Sequence, residues 1–380
     1  MIRPKQDKPL ASALLAQAKE VLESVERTDV TDFRNWLLGD LSKPLVCIGN
    51  GGKHTTYPAL LYGISGGVGK TATPLEFASM TPEAVKRSKV LLLSSSGKNM
   101  DVNYASRRAA EINPEGTAGF TFTDNERNCL FKNLNRHNIF CYKNPYSDGF
   151  ISIRSKILTC GLLYKAFSGK NSFTDKLNFG FKYDYFINKS GELPELKKIK
   201  HFVLLYGSYG EPVAHDIESA MVEGGIASVQ ICDYRNFCHG RFIFAGNHCQ
   251  SNKVPETDVC AILLTTPREA KIAESLRNEA LADNMPIVQI HTDLDSSLAT
   301  IQILMDSLHF VFDLAEKHLG LNPNSPHNFS GIDKRKPMNS VRFVTALKEH
   351  GELSHLLYHV LHSVAEEISV THMIEAKSLI

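Results

Sequence analysis

Short apolar runs, each ending in a small polar turn and leading into a helical-period segment, restrict this chain's folds most. Val90 to Leu93 ends at Ser94-Ser95-Ser96-Gly97-Lys98, and His201 to Tyr206 ends at Gly207-Ser208-Tyr209-Gly210. Such runs are strand-length, and their unbroken apolar character suits strands buried on both faces. Strand, turn and helix repeated in this way specify an α/β layered unit with a mostly parallel sheet.

The pattern occurs twice. The first set has strands at 44–48, 73–77, 90–93, 119–123 and 138–141, with helices at 56–64, 102–112 and 151–167. The second has strands at 201–206, 228–232, 259–265 and 286–290, with helices at 214–224, 268–282 and 298–319. Residues 9–40 read as two helices. Residues 169–196, polar and aromatic, read as a linker with a helix or a surface excursion. The expected organisation is a helical segment 1–40, an α/β domain 41–170, a linker or insertion 171–196, a second α/β domain 197–335 and a helical extension 336–380. Within that extension the helices fall at 341–347 and 353–368.

Bulk properties narrow the partners. With 380 residues and a formal charge of +1, nothing draws the whole molecule toward nucleic acid or an anionic membrane. No apolar run approaches the roughly 20 residues of a spanning helix, and the first residues lack a secretory leader's apolar core. The 8 cysteines are scattered, several inside apolar runs, which suits a reducing compartment. The expectation is a cytoplasmic protein.

At the carboxyl end of a parallel strand, a helix N-terminus presents unpaired N–H groups and partial positive charge. Ser94, Ser95 and Ser96 add hydroxyls there, Gly97 allows close backbone approach, Asn99 is a helix cap or a further donor, and Lys98 brings charge. These groups suit a dianionic phosphate monoester, although serines also simply cap helices. Gly49-Asn50-Gly51-Gly52-Lys53 is a second turn of this kind, with Lys53 and His54 as candidate phosphate contacts and Gly51 and Gly52 as pocket wall. Ser208, in the turn after 201–206, joins the candidate pocket. Gly66-Gly67-Val68-Gly69-Lys70-Thr71 looks like the end of a nucleotide P-loop, but Ile64 stands where that pattern needs its first glycine, and the helix precedes the motif instead of following it.

Glu223, late on its helix, and His239, sixteen residues on, are the acid/base candidates. An imidazole can open a sugar ring by moving a proton to its ring oxygen, and a carboxylate can carry a proton between the carbons of an enediol. Asp216 lies two turns before Glu223 on much the same face. The plain alternatives are a structural histidine and a solvated helix end. Cys232, Cys238, His239, His248 and Cys249 form a loose cluster that matches zinc-ligand spacing only crudely. No metal or organic cofactor is expected.

With these residues in view, the chain resembles the sugar isomerase (SIS) domain family over roughly residues 40–333. It is most similar to the two-SIS-domain isomerase half of glutamine–fructose-6-phosphate aminotransferase and to the related sugar-phosphate deaminases and deglycases. The family's Ser-x-Ser-Gly-x-Thr phosphate loop corresponds to Ser94-Ser95-Ser96-Gly97-Lys98-Asn99, and its Gly-x-Gly-Thr-Ser turn to Gly49–Lys53. Its isomerising glutamate aligns with Glu223, its ring-opening histidine with His239 before Gly240, and a pocket serine with Ser152. The resemblance implies two three-layer α/β/α SIS units acting on a sugar 6-phosphate by isomerisation or loss of an amine. It also implies a homodimer or higher homo-oligomer with sites shared between subunits, so that His239 can serve a partner's pocket. The family's Schiff-base lysine falls on Gly331, with Lys334 available only after a shift of register, and Ile2 stands where a glutaminase has its cysteine. A glutamine-dependent synthase is therefore not expected. A phosphosugar sensor without turnover and a protein binding a nucleotide-linked sugar remain as alternatives.

Overall fold

The computed structural model describes residues 10–49, 55–125, 127–146, 148–186, 195–243, 258–280 and 285–324. Gly51, Gly52, Lys53, His54, His248, Cys249, Gly331, Lys334 and the expected helices at 341–347 and 353–368 lie outside these residues. Among the described residues, ten strands form two five-stranded sheets. They are β1 (Leu45–Ile48), β2 (Gly69–Ala72), β3 (Lys89–Leu93), β4 (Thr117–Thr121), β5 (Ile139–Cys141), β6 (Asp184–Phe186), β7 (His201–Tyr206), β8 (Ser228–Asp233), β9 (Val259–Thr265) and β10 (Ile287–His291). The described residues divide into two compact units, one running through 43–49 and 70–143, the other through 10–42, 55–69 and 144–324.

The smaller unit holds the sheet β2-β1-β3-β4-β5, with β1, β3, β4 and β5 parallel. Val46, Ile48, Val90 and Leu92 point to one face, where Phe77, Val85, Val102, Ala105, Ala109 and Leu130 close a core. The period-2 alternation of the strand residues meets the 3.6-residue stripe of the helices there. One sequence expectation fails in this region. The strand is Gly69–Ala72, and residues 74–78 are helical. Thr73 is extended and caps that helix in a reciprocal box with Glu76, while Pro74 occupies the first helical turn. The restriction that proline imposes on its predecessor is the conformation an N-cap needs, so Thr-Pro marks a helix start here. Two of the P-loop-like glycines serve packing: a side chain on Gly67 would sit 2.2 Å from the Tyr62 ring and one on Gly69 2.0 Å from the Ala59 carbonyl oxygen.

The larger unit holds the sheet β6-β10-β9-β7-β8, parallel except for β6, which runs antiparallel along the edge against β10. That edge strand lies in the segment read as a linker. One face carries Val203, Leu205, Val259, Ala261 and Leu263 against Tyr234, Phe237, Ala273 and Leu276. On the other, Phe202 meets Phe310 of the Leu298–Asp313 helix edge to face at 6.1 Å. That helix continues to His318 and is apolar enough to pass for a membrane span, but 89% of its apolar window is buried within the protein. It is a core helix. The residues read as two N-terminal helices form three, Ala11–Leu15, Ala18–Glu26 and Thr31–Leu38. The buried Lys165 fastens the second of them by donating to the carbonyls of Val25, Glu26 and Thr28.

Candidate functional site

Both sheets reverse their strand order at one place. From β1 the chain adds β2 on one side and β3 on the other; from β7 it adds β8 on one side and β9 on the other. Ligands of open α/β sheets bind beyond the carboxyl ends of the strands at such a reversal. The serine turn follows β3 and so borders the reversal of the first sheet.

The turn is tightly built. The Ser94 amide donates to the Phe120 carbonyl at 3.0 Å, and the Ser95 carbonyl accepts from the Phe122 amide at 3.1 Å and from the Thr121 and Thr123 hydroxyls at 3.3 and 3.1 Å. Gly97 has φ +62°, and a side chain on it would meet the Asn128 amide oxygen at 1.8 Å. The fully buried Asn128 donates to the Thr121 hydroxyl and the Thr123 carbonyl, and accepts from the Leu130 amide. Only glycine fits at position 97. The Gly97 amide donates to the Ser94 hydroxyl at 3.2 Å and the Lys98 amide to that of Ser96 at 3.3 Å. Each hydroxyl accepts through its oxygen and keeps its proton for donation outward. Asn99 takes the capping role: its Oδ1 accepts from the Asp101 and Val102 amides at 2.9 and 3.1 Å. Ser95, Ser96 and Lys98 are exposed.

The other candidates belong to the larger unit. Ser152 is exposed just before the Arg154–Ser168 helix, whose first amides are already held by Asp148, from Arg154 and Ser155 at 2.9 Å each. Ser208 is exposed after β7 and lines a cleft of about 510 Å³ with Tyr206, Gly207, Glu211, Asp233, Arg235 and Glu269. His239 follows β8 in a segment anchored by the buried Phe237, with the chain turning at Gly240, φ +110°. It is exposed on the carboxyl side of the sheet.

Glu223 lies at the opposite edge. It ends the Glu211–Glu223 helix that starts at the carboxyl end of β7, which places it about 18 Å of helix away. It is exposed and accepts from the Ser219 hydroxyl at 2.8 Å. Glu223 and His239 of one chain therefore do not meet. Asp216, on the same helix, is buried and paired with the buried Lys156 at 3.2 Å, a structural engagement between two helices. Cys232, Cys238 and His239 bring together no metal-binding group among the described residues.

Sequence reasoning missed Asn128, which shapes the serine turn from beneath, and Glu211, Asp233 and Glu269, which charge the second cleft. The available signal was position: Asp233 ends β8, and Thr121 ends β4.

No family model matches the chain, and no curated protein does. Solved structures do match. Glucosamine-6-phosphate deaminase from Thermotoga maritima shares 14% identity and a TM-score of 0.59, over 83% of this chain and 97% of that one. Tagatose-6-phosphate ketose/aldose isomerase from Escherichia coli shares 14% and 0.58, over 85% and 96%. The C-terminal domain of glucosamine-fructose-6-phosphate aminotransferase from Francisella tularensis shares 10% and 0.55, over 84% and 99%. With its two parallel-type sheets, each reversing at one point, this chain has the α/β fold of the sugar isomerase (SIS) proteins.

Proposed function

We propose that the chain is a phosphosugar isomerase, or an amino-sugar-phosphate deaminase or deglycase, acting on a sugar 6-phosphate in the cytoplasm. The serine turn carries this reading. It sets three hydroxyls on a rigid frame at a sheet reversal, with Lys98 beside them. In this reading Ser94, Ser95, Ser96 and the turn's backbone hold the phosphate. The two SIS units are taken as residues 41–170 and 197–335.

Ring opening needs a proton delivered to the ring oxygen, the role of His239. Isomerisation needs a base to take a proton from one carbon and return it to its neighbour, the role of Glu223. This chemistry requires no metal or organic cofactor. Because the two side chains of one protomer stand at opposite sheet edges, the working pair is Glu223 of one protomer with His239 of another. The protein is accordingly a homodimer or larger homo-oligomer.

A thermal-shift panel of sugar 6-phosphates and amino-sugar phosphates, run on wild type and Glu223→Gln, tests this, with hits followed by NMR. A ligand that stabilises both proteins and is converted only by wild type supports the proposal. Conversion undiminished in Glu223→Gln refutes the assigned base. The exposed Glu223, engaged by Ser219, also favours a second reading, a phosphosugar binder without turnover; stabilisation with no conversion in either protein would select it. Response to nucleotide-linked sugars alone would point instead to a ligand of that class.

A further inference from the structure

The Leu298–Asp313 helix is an apolar core helix of the larger unit, yet it buries Gln302 and Asp306 one turn apart, 4% and 2% exposed. Both side chains hold one surface segment. Gln302 Oε1 accepts from the Asn178 amide at 2.7 Å, and its Nε2 donates to the Asn178 carbonyl and to Asp306 Oδ2 at 2.9 Å each. Asp306 Oδ1 accepts from the Lys182 amide at 3.1 Å. Between these anchors the Gly180 amide donates to Asn178 Oδ1 at 2.8 Å, and Phe181 takes φ +41°, a left-handed backbone that bulky residues avoid. The Phe181 ring stacks on His309 at 5.2 Å. Polar groups are costly to bury unless they are compensated. Here the compensation fixes residues 178–182 in a backbone they would not adopt alone.

That segment walls a pocket of about 230 Å³ at the carboxyl end of β10. Lys176, Lys182, His291 and Thr292 line it, together with Asp293 and Asp306. Lys176 and Lys182 are exposed and make no ion pair among the described residues. His291, whose Nδ1 lies 3.4 Å from Asp184 Oδ2, carries positive charge when protonated. The Thr292 hydroxyl accepts from the Leu294 amide at 3.3 Å and keeps its proton for donation. Asp293 is exposed to water, which screens its charge. Asp306 is pushed up to about 6 by burial, against the Gln302 side chain, the Lys182 amide and the charges of His291 and Lys182. Its negative charge is therefore the one this pocket gives up most easily.

We propose that the pocket binds a small dianionic oxyanion, free or as the terminal phosphate of a larger ligand, through Lys176, Lys182, His291 and the Thr292 hydroxyl. Lysines serve such a group as point charges. The bound anion and an ionised Asp306 repel one another, so binding is accompanied by proton uptake and tightens as pH falls. The titratable groups around Asp306 are Lys176, Lys182 and Asp184 on the segment, His291 and Asp293 at the end of β10, and His309 on its own helix. Protonation of His291 acts in the same direction. The inference does not rest on the proposed sugar-phosphate chemistry.

Calorimetric titration of the full chain with sulfate tests it, because sulfate keeps its charge between pH 5.5 and 7.5 and leaves any pH dependence to the protein. Saturable binding is expected, weaker by about tenfold or more in the Lys176→Gln/Lys182→Gln double variant and unchanged in Lys170→Gln, an exposed lysine outside the pocket. Asp306→Asn keeps an acceptor for the Lys182 amide. It should bind sulfate about threefold tighter at pH 7.5 and lose part of the tightening toward pH 5.5, a gain that damage to the fold would not give. Glycerol 3-phosphate binding tighter than sulfate would support a phosphate ester as the ligand, and equal affinities would support the free anion. No saturable sulfate binding, an affinity indifferent to the double lysine variant, or weaker binding by a folded Asp306→Asn protein would overturn the proposal. The phosphosugar reading is judged separately, by conversion of sugar 6-phosphates.

Discussion

The turn at Gly97 can be tested by a double-mutant cycle with Asn128. In Gly97→Ala, the left-handed backbone, φ +62°, costs about 1–2 kcal/mol for any residue with a Cβ. The new methyl also falls 1.8 Å from the Asn128 oxygen, so that side chain must leave its three hydrogen bonds, for about 2 kcal/mol more. The single substitution should therefore cost about 3–4 kcal/mol. Asn128→Ala alone removes the acceptor of the buried Leu130 amide and the donor to the Thr123 carbonyl and Thr121 hydroxyl, and should cost about 3 kcal/mol. In the double variant the collision has already been removed, so only backbone strain adds to the loss of Asn128, giving about 4–5 kcal/mol where simple addition gives about 6–7. Urea denaturation of the four proteins, followed by far-ultraviolet circular dichroism and by a fluorophore near β4, measures the cycle. The second probe isolates the smaller unit if the two units unfold separately. A coupling near 2 kcal/mol is expected. Additive effects, or a Gly97→Ala cost under 1 kcal/mol, would refute the claim that Asn128 sets the shape of the serine turn.

If sites are shared between protomers, mixing inactive Glu223→Gln with inactive His239→Asn should restore about a quarter of wild-type activity in a dimer, because half the dimers are mixed and each has one intact site. Unmixed variants that stay inactive, with no recovery after subunit exchange, would show that each site is built within one chain. A second expectation concerns pH. Asp306 is buried, and burial pushes its carboxyl up to about 6, with Gln302 and the Lys182 amide as donors that oppose the rise. Since the folded value lies above that of the unfolded chain, the folded state holds the extra proton and Asp306 favours folding more as pH falls from about 6 toward 4. Denaturant midpoints between pH 4 and 7 should lose part of their slope in Asp306→Asn; an unchanged slope would place the titration elsewhere.

Most strand positions and the element order were legible in the sequence because both sheets are buried, which makes their strands continuous apolar runs. His201–Tyr206 and Val259–Thr265 fall where the pattern put them. The misplaced strand at 73–77 and the unread β6 share a cause. Gly-Lys-Thr-Ala and Asp-Tyr-Phe are not apolar runs; β6 is an edge strand, paired among the described residues only with β10, and three of the four β2 residues remain partly or fully exposed, so composition leaves little mark. The serine turn was legible because it combines a local motif with a strand before it and a helix after it. The second cleft was not, because Gly207, Glu211, Asp233 and Glu269 come from turns more than sixty residues apart end to end and share a space only after β7, β8 and β9 pair.

The same logic explains why Glu223 and His239 could be chosen from sequence but not placed. A spacing of sixteen residues covers the end of a helix, a loop and the whole of β8, and a strand delivers its two ends to opposite sides of a sheet. Constant spacing therefore fixes separation as firmly as it would fix proximity within a single helical turn. For two groups so divided to act on one substrate, a second copy of the chain must supply one of them. Oligomer formation and catalysis are then a single claim, and activity should fall with dilution through the dimer dissociation constant while binding of phosphate to the serine turn should not.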